Sequence, residues 1–174
     1  SPICARRWPM FRGTTPSAPP EELTMADALS DTEIGRRVAE SFDKQGLMAT
    51  LGARLLRVAP GEVEIELPVG PQVSQQHGFV HAGAVAAIAD SACGYAALTR
   101  MPAGVGVLTA EFKINLLAPA AGDRLIARGK VVKAGRTLTL ALAEVFAVRD
   151  GAEKLCAMLT ATCMAVGGRE GVSD

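Results

Sequence analysis

Asp90 is the only charged side chain in the most apolar stretch of the chain, AGAVAAIADSACGYAAL from Ala82 to Leu98. Burying an ionised carboxylate is costly unless it is paired, hydrogen-bonded or shifted in pKa. A desolvated carboxylate is also a stronger base, able to activate water or attack an electrophile itself. Just upstream runs Gln75-Gln76-His77-Gly78-Phe79-Val80-His81, polar and punctuated by glycine, leading into Ala82 and Gly83. The run reads as a buried helix, and its first turn offers unpaired N–H groups and the positive end of a dipole. A base and a set of main-chain donors thus stand on one element. Gly83 and Asp90 are seven residues apart, on one face but separated by about 10 Å along the axis. One small electrophile cannot bond both within a single helix.

The elements that must hold this helix can be read outward from it. With 174 residues the chain has room for an ordinary core. Eighteen basic and eighteen acidic residues cancel, which gives no sign of a nucleic-acid or membrane-surface partner. Aromatic residues make up only 4%, so the core must be built from Ala, Val, Leu and Ile. Cys4, Cys93, Cys156 and Cys163 form no Cys-x-x-Cys pair, and reduced thiols in a cytoplasmic protein are the expectation. The apolar run is near the minimum for a membrane span, but Asp90 at its centre argues against insertion.

Residues 1–24 carry five prolines and no periodicity. They are expected to be a disordered extension or tag, followed by one domain over 25–168 and a disordered tail over 169–174. Ser30-Asp31-Thr32-Glu33 has capping-box spacing ahead of Ile34, Val38 and Phe42, with Gly46 expected to end that first helix. A strand from Leu51 to Ala59 turns at Pro60-Gly61 into the strictly alternating Glu62 to Leu67. After the apolar helix, strands are expected over Val105–Leu117, Arg124–Lys133, Arg136–Val148 and Leu155–Val166, joined as an antiparallel meander. A long sheet crossed by one helix is an α+β architecture. The helix is apolar nearly all round, so its far side is expected to meet a second subunit.

These residues resemble the hotdog-fold acyl-CoA thioesterases of the phenylacetic-acid-degradation (PaaI-like) type. The resemblance rests on His81-Ala82-Gly83 at the helix start, then Asp90, then Asn115-Leu116-Leu117-Ala118-Pro119, then Gly135-Arg136-Thr137, in order and with fitting spacing over residues 30 to 166. The family's first glycine is Ala82 here, and the position often held by Asn is Gln75. Ala82 keeps a backbone N–H, so a main-chain donor survives the change. The resemblance implies a hotdog fold: an antiparallel sheet of five to six strands wrapped on a long central helix, assembled as a dimer or a dimer of dimers.

It further implies hydrolysis of an acyl-CoA to free acid and coenzyme A at a composite site between two subunits. Asp90 would be the general base or nucleophile, and Ala82 or Gly83 the oxyanion donor. His81 would fix the helix start or polarise the carbonyl. Gln75 would hold a water, and Thr109 would orient water or substrate. Substrate contacts would come from Asn115 and from the turn of Lys133, Gly135, Arg136 and Thr137, with Lys133 and Arg136 against the coenzyme A phosphates. No cofactor, metal, nucleic acid or membrane is implied; the partners are an acyl-CoA and further copies of the chain, a homodimer or homotetramer. Two other activities are compatible with such a fold. A hydratase needs a His five residues after the Asp, where Tyr95 stands; a non-catalytic acyl-CoA binding module would keep the pocket without turnover.

Overall fold

The computed structural model describes residues 33–168 and residue 171. The expectations for residues 1–24, for residues 30–32 of the capping box, for Cys4 and for the tail other than Gly171 lie outside the described residues. The elements are α1 (Glu33–Phe42), α2 (Gly46–Leu51), β1 (Arg54–Ala59), β2 (Glu62–Pro68), a 3-10 turn (Pro71–Val73), α3 (Ala82–Leu98), β3 (Gly106–Leu116), β4 (Arg124–Ala134), β5 (Leu138–Arg149) and β6 (Ala152–Val166). They form a six-stranded antiparallel sheet with α3 packed across one face, a hotdog fold. Among the described residues no helix is long and apolar enough to cross a membrane.

Two expectations change. Gly46 does not end the first helix but begins α2, which Gly52 closes with a left-handed φ of 70°. The first strand is accordingly shorter. Nor do the last four strands form a meander, because the sheet order is β1-β2-β4-β5-β6-β3. The long helix carries the chain across the sheet, so β3 lands on the far edge beside β6. The chain then returns through residues 117–123 to place β4 against β2.

The inner sheet face explains how α3 can lie so close. Val63, Ile65 and Leu67 of β2, Ala141, Ala143 and Val145 of β5, and Ala157, Leu159 and Ala161 of β6 are all fully buried. Small residues on the central strands let the alanine-rich helix approach. At Gly129 of β4 the approach is so close that an added Cβ would run into the Ala92 carbonyl of α3. The outer face of β2 and β4 is charged instead, with Arg128 paired in bidentate fashion to Glu153 at 2.7 Å per contact.

The apolar surface of α3 is covered unevenly. From Ala92 to Leu98 every residue is buried, with the sheet on one side and the chain's own α1 on the other. Phe42 and Tyr95 pack with ring centroids 5.8 Å apart. Arg37 of α1 reaches over the helix end, donating to the carbonyls of Met101 at 2.9 Å, Pro102 at 2.8 Å and Val105 at 2.9 Å. The buried Thr99 hydroxyl donates to Ala96 O at 2.6 Å and accepts from Gly61 N–H at 2.7 Å, tying the helix end to the β1–β2 turn. The C-terminal half of α3 is therefore packed within one chain, between the sheet and α1. Only its first half keeps an open side.

Gly129→Ala is expected to push α3 off β4 and to lower stability by about 1–3 kcal/mol, the usual cost of an overpacked core. Urea unfolding of the two proteins checks this; an unchanged midpoint would contradict the close approach.

Candidate active site

The start of α3 is built by a small hairpin-like loop. Ser74 bridges Val80, Gln75 N–H donates to Phe79 O at 2.8 Å, and Gly78 takes a φ of 80°. The Gln75 side chain braces this loop, its Oε1 accepting from His77 N–H at 2.7 Å. His81 is the N-cap of α3 in extended geometry, φ −61° and ψ 136°. Its Nδ1 accepts from Gly83 N–H at 2.9 Å, which requires that nitrogen to be unprotonated. The carbonyl of His81 takes Ala84 N–H at 2.9 Å and Val85 N–H at 3.2 Å. Ala82 N–H is left with no hydrogen-bond partner among the described residues. Of the two candidate donors, Gly83 is occupied by the cap and Ala82 is open.

Asp90 lies two turns further along α3 and is half-buried. The Thr109 hydroxyl donates to its Oδ1 at 2.8 Å. Desolvation raises the Asp90 pKa above the ordinary carboxylate value, and the Thr109 hydrogen bond offsets only part of that rise. The thiols nearby are unreactive: burial pushes Cys163 up to about 11 and Cys93 well above its usual range. Cys93, Cys156 and Cys163 are buried and free.

Asp90 and Ala82 open into different cavities. One, of about 540 Å³, is bounded by Asp90, Thr109, Gln45, Met48, Tyr95 and Leu108. The other, of about 640 Å³, holds Gln75, His81 and Ala82 beside Phe79, Leu116 and Pro119. The first reaches β3 at its start and the second at its end. The remaining expected residues lie apart from both. Asn115 is exposed and faces Met158 across the strand pair. Gly135, Arg136 and Thr137 form the exposed β4–β5 turn, where Gly135 N–H donates to Leu138 O at 3.0 Å, and Lys133 is exposed near the end of β4 just before it. That turn sits at the Thr109 end of the sheet, because Thr139 and Thr109 both face Cys163 in register. Gln45, Ser91 and Tyr95 were not expected at the site. Ser91 and Tyr95 could have been found by stepping along the Asp90 face of the helix; Gln45 had no local signal.

A family model described as "Thioesterase superfamily" matches residues 77–154. The chain is 51% identical to a thioesterase family protein from Silicibacter pomeroyi of known structure, covering 78% of this chain and 99% of that one with a TM-score of 0.76. It is 30% identical to a mutant of the phenylacetic acid degradation protein PaaI from Thermus thermophilus, over 69% of this chain and 98% of that one, TM-score 0.60. A curated relative named as an esterase, from Halobacterium salinarum, is 32% identical over 129 residues, 71% of this chain and 85% of the relative. The fold and these likenesses define a hotdog-fold thioesterase of the PaaI-like type. The chain belongs to the thioesterase superfamily, and it is a thioester hydrolase.

The raised Asp90 pKa has a measurable sign. Its ionised form costs more in the folded chain than in the unfolded one, so this residue destabilises the fold as pH rises through the carboxylate range to the raised value. Asp90→Asn is expected to be more stable than wild type at neutral pH, with the difference fading as pH falls below that range. Thr109→Val removes the one donor that favours the carboxylate, and should move the Asp90 titration to still higher pH in carboxyl-carbon NMR. A downward shift would contradict the hydrogen-bond assignment.

Proposed function

We propose that the protein is an acyl-CoA thioesterase whose catalytic unit is shared by two copies of the chain. The observation that carries this reading is the position of the two half-sites. Asp90 with Thr109, and Ala82 N–H with His81, open into separate cavities at opposite ends of one edge strand. Strand β3 has β6 on one side only, and it exposes Leu108, Phe112 and Leu116. An open, apolar edge invites pairing with another strand. Antiparallel pairing of β3 with its own copy about a two-fold axis near the middle of the strand would bring the Thr109 end of one copy to the Leu116 end of the other. The Asp90 cavity of each copy would then adjoin the helix start of the other.

The thioester carbonyl lies between the two half-sites in this reading. Its oxygen takes the Ala82 N–H at the positive end of α3, where developing negative charge is stabilised. The Asp90 carboxylate, its basicity raised by desolvation, accepts a proton from water as the hydroxide adds to the carbonyl carbon. The tetrahedral intermediate expels the coenzyme A thiolate, which takes the proton back. In the alternative route Asp90 adds directly and water hydrolyses the resulting anhydride. Single turnover in oxygen-18 water separates them, since only the second route leaves label in the enzyme carboxylate. Lys133 just before the exposed turn and Arg136 within it are candidates to meet the phosphates of coenzyme A, as point charge and fork. Three buried, unpaired cysteines fit a reducing, cytoplasmic setting. Pairing of dimers into tetramers would use surfaces other than β3.

Asp90→Asn is expected to keep the fold and the assembly while lowering turnover at least about a hundredfold. Ala82→Pro tests the donor with little structural cost. Position 82 is the first residue of the helix, where proline is favoured, and His81 before it already has extended geometry. Losing that one N–H is expected to lower kcat about a hundredfold or more. Full activity in either variant, measured as free coenzyme A released, would sink its assigned role.

A further inference from the structure

The cavity beside Asp90 changes character along its length. One side of α3 supplies its wall at helical spacing, with Ala87, Asp90, Ser91, Gly94, Tyr95 and Leu98. Beyond Asp90 the wall becomes polar. Gln45 is the N-cap residue of α2, yet its side chain makes no capping bond. It turns inward, and its Nε2–H donates to the Tyr95 hydroxyl oxygen at 2.8 Å. The Ser91 hydroxyl donates to Gln45 Oε1 at 3.2 Å, and the Tyr95 hydroxyl to Ser41 Oγ at 3.4 Å. These bonds use one of the two Gln45 amide protons and leave the Ser41 proton and the Ser91 lone pairs open to a further partner.

Gly94 adds a steric observation that does not depend on the polar cluster. Glycine in a helix interior weakens the helix relative to alanine. Here the residue is buried, yet a Cβ built on it would meet nothing within 4 Å. Packing against a neighbour therefore does not call for glycine at this position. Its effect is to keep room in the cavity wall one turn beyond Asp90.

We propose that this cavity is the acyl pocket, and that it selects a compact acyl group carrying a hydroxyl or keto oxygen at its far end. That oxygen is read by Gln45, Ser91 and Tyr95 across the space left by Gly94. The proposal rests on Asp90 marking the reacting carbonyl, as argued above. Asp90 and Tyr95 are separated by about 7.5 Å along the helix, the reach of a chain of roughly six heavy atoms. A purely alkyl end at that depth would cover the second Gln45 amide proton and the Ser41 proton without offering them an acceptor. A site built to hydrogen-bond a substituent discriminates strongly against an analogue lacking it.

Hydroxyl-terminated pentanoyl-CoA and hexanoyl-CoA have acyl groups of equal heavy-atom length and separate the two cases. Wild-type protein is expected to favour the hydroxylated thioester in kcat/KM by at least about tenfold. Gln45→Leu and the gentler Tyr95→Phe should each bring the ratio towards one, and Gly94→Val should shift preference from both substrates towards acetyl-CoA. The non-hydrolysable thioethers of the same pair, measured by calorimetry, should show the same order of affinity. Hydrolysis with a wild-type ratio near one, or a ratio unmoved by Gln45→Leu and Tyr95→Phe, overturns the pocket proposal. Thioether preference without hydrolysis overturns the Asp90 reaction and upholds the pocket.

Discussion

The contact on which the site depends is the approach of α3 to β4 at Gly129, where the helix backbone at Ala92 lies too near the strand to admit even a methyl group. Close-packed interiors transmit such constraints without slack. With the helix at that height, Asp90 comes level with β3, and the Thr109 hydroxyl reaches its carboxylate at 2.8 Å. The same seating buries the second half of α3 between the sheet and α1. The first half, with Ala82, Gly83, Ala86 and Ala87, keeps an exposed or half-buried side. Packing and chemistry thus share one helix: the buried residues of its second half anchor the fold, while its exposed beginning and the face running from Asp90 to Tyr95 line the two cavities.

The polar environment of Asp90 is sparse. Thr109 is the only side chain among the described residues that hydrogen-bonds it, and no basic group appears among the causes of its pKa shift. A salt bridge would have held the carboxylate ionised and weakly basic; burial with a single neutral donor does the opposite. Cys93 and Cys163 stay protonated in the same surroundings, so one kind of environment makes an acid into a better base and a thiol into an inert filler. At the other half-site, His81 settles the direction of the helix start. By accepting from Gly83 it leaves the preceding N–H, that of Ala82, as the open donor.

Much of this was legible from residue types and spacing. The length of α3, the β1–β2 turn at Pro60-Gly61 and the six strands follow from periodicity and from the family resemblance, whereas the hydrogen bond between Thr109 and Asp90 does not. The strand order did not, because alternation reports which face a residue occupies and not which strand lies beside it. Gly46 opens a helix where the sequence suggests an end, because glycine stands at helix starts as well as helix ends, and the closing signal is the left-handed Gly52 six residues on. The choice of Ala82 over Gly83 hangs on one imidazole rotamer, which no spacing encodes. The Gln45, Ser91 and Tyr95 cluster joins positions some fifty residues apart, and the linking residue carries no local mark of that role.

Complementation between two inactive variants tests the shared site most directly. Ala82→Pro retains Asp90, and Asp90→Asn retains the Ala82 N–H. Unfolded, mixed in equal amounts and refolded together, they should form mixed dimers in which one of the two sites is intact, restoring about a quarter of wild-type thioesterase activity per chain. Activity no greater than the sum of the two variants alone, with mixed dimers demonstrably present, would place both groups in a single subunit and contradict the account.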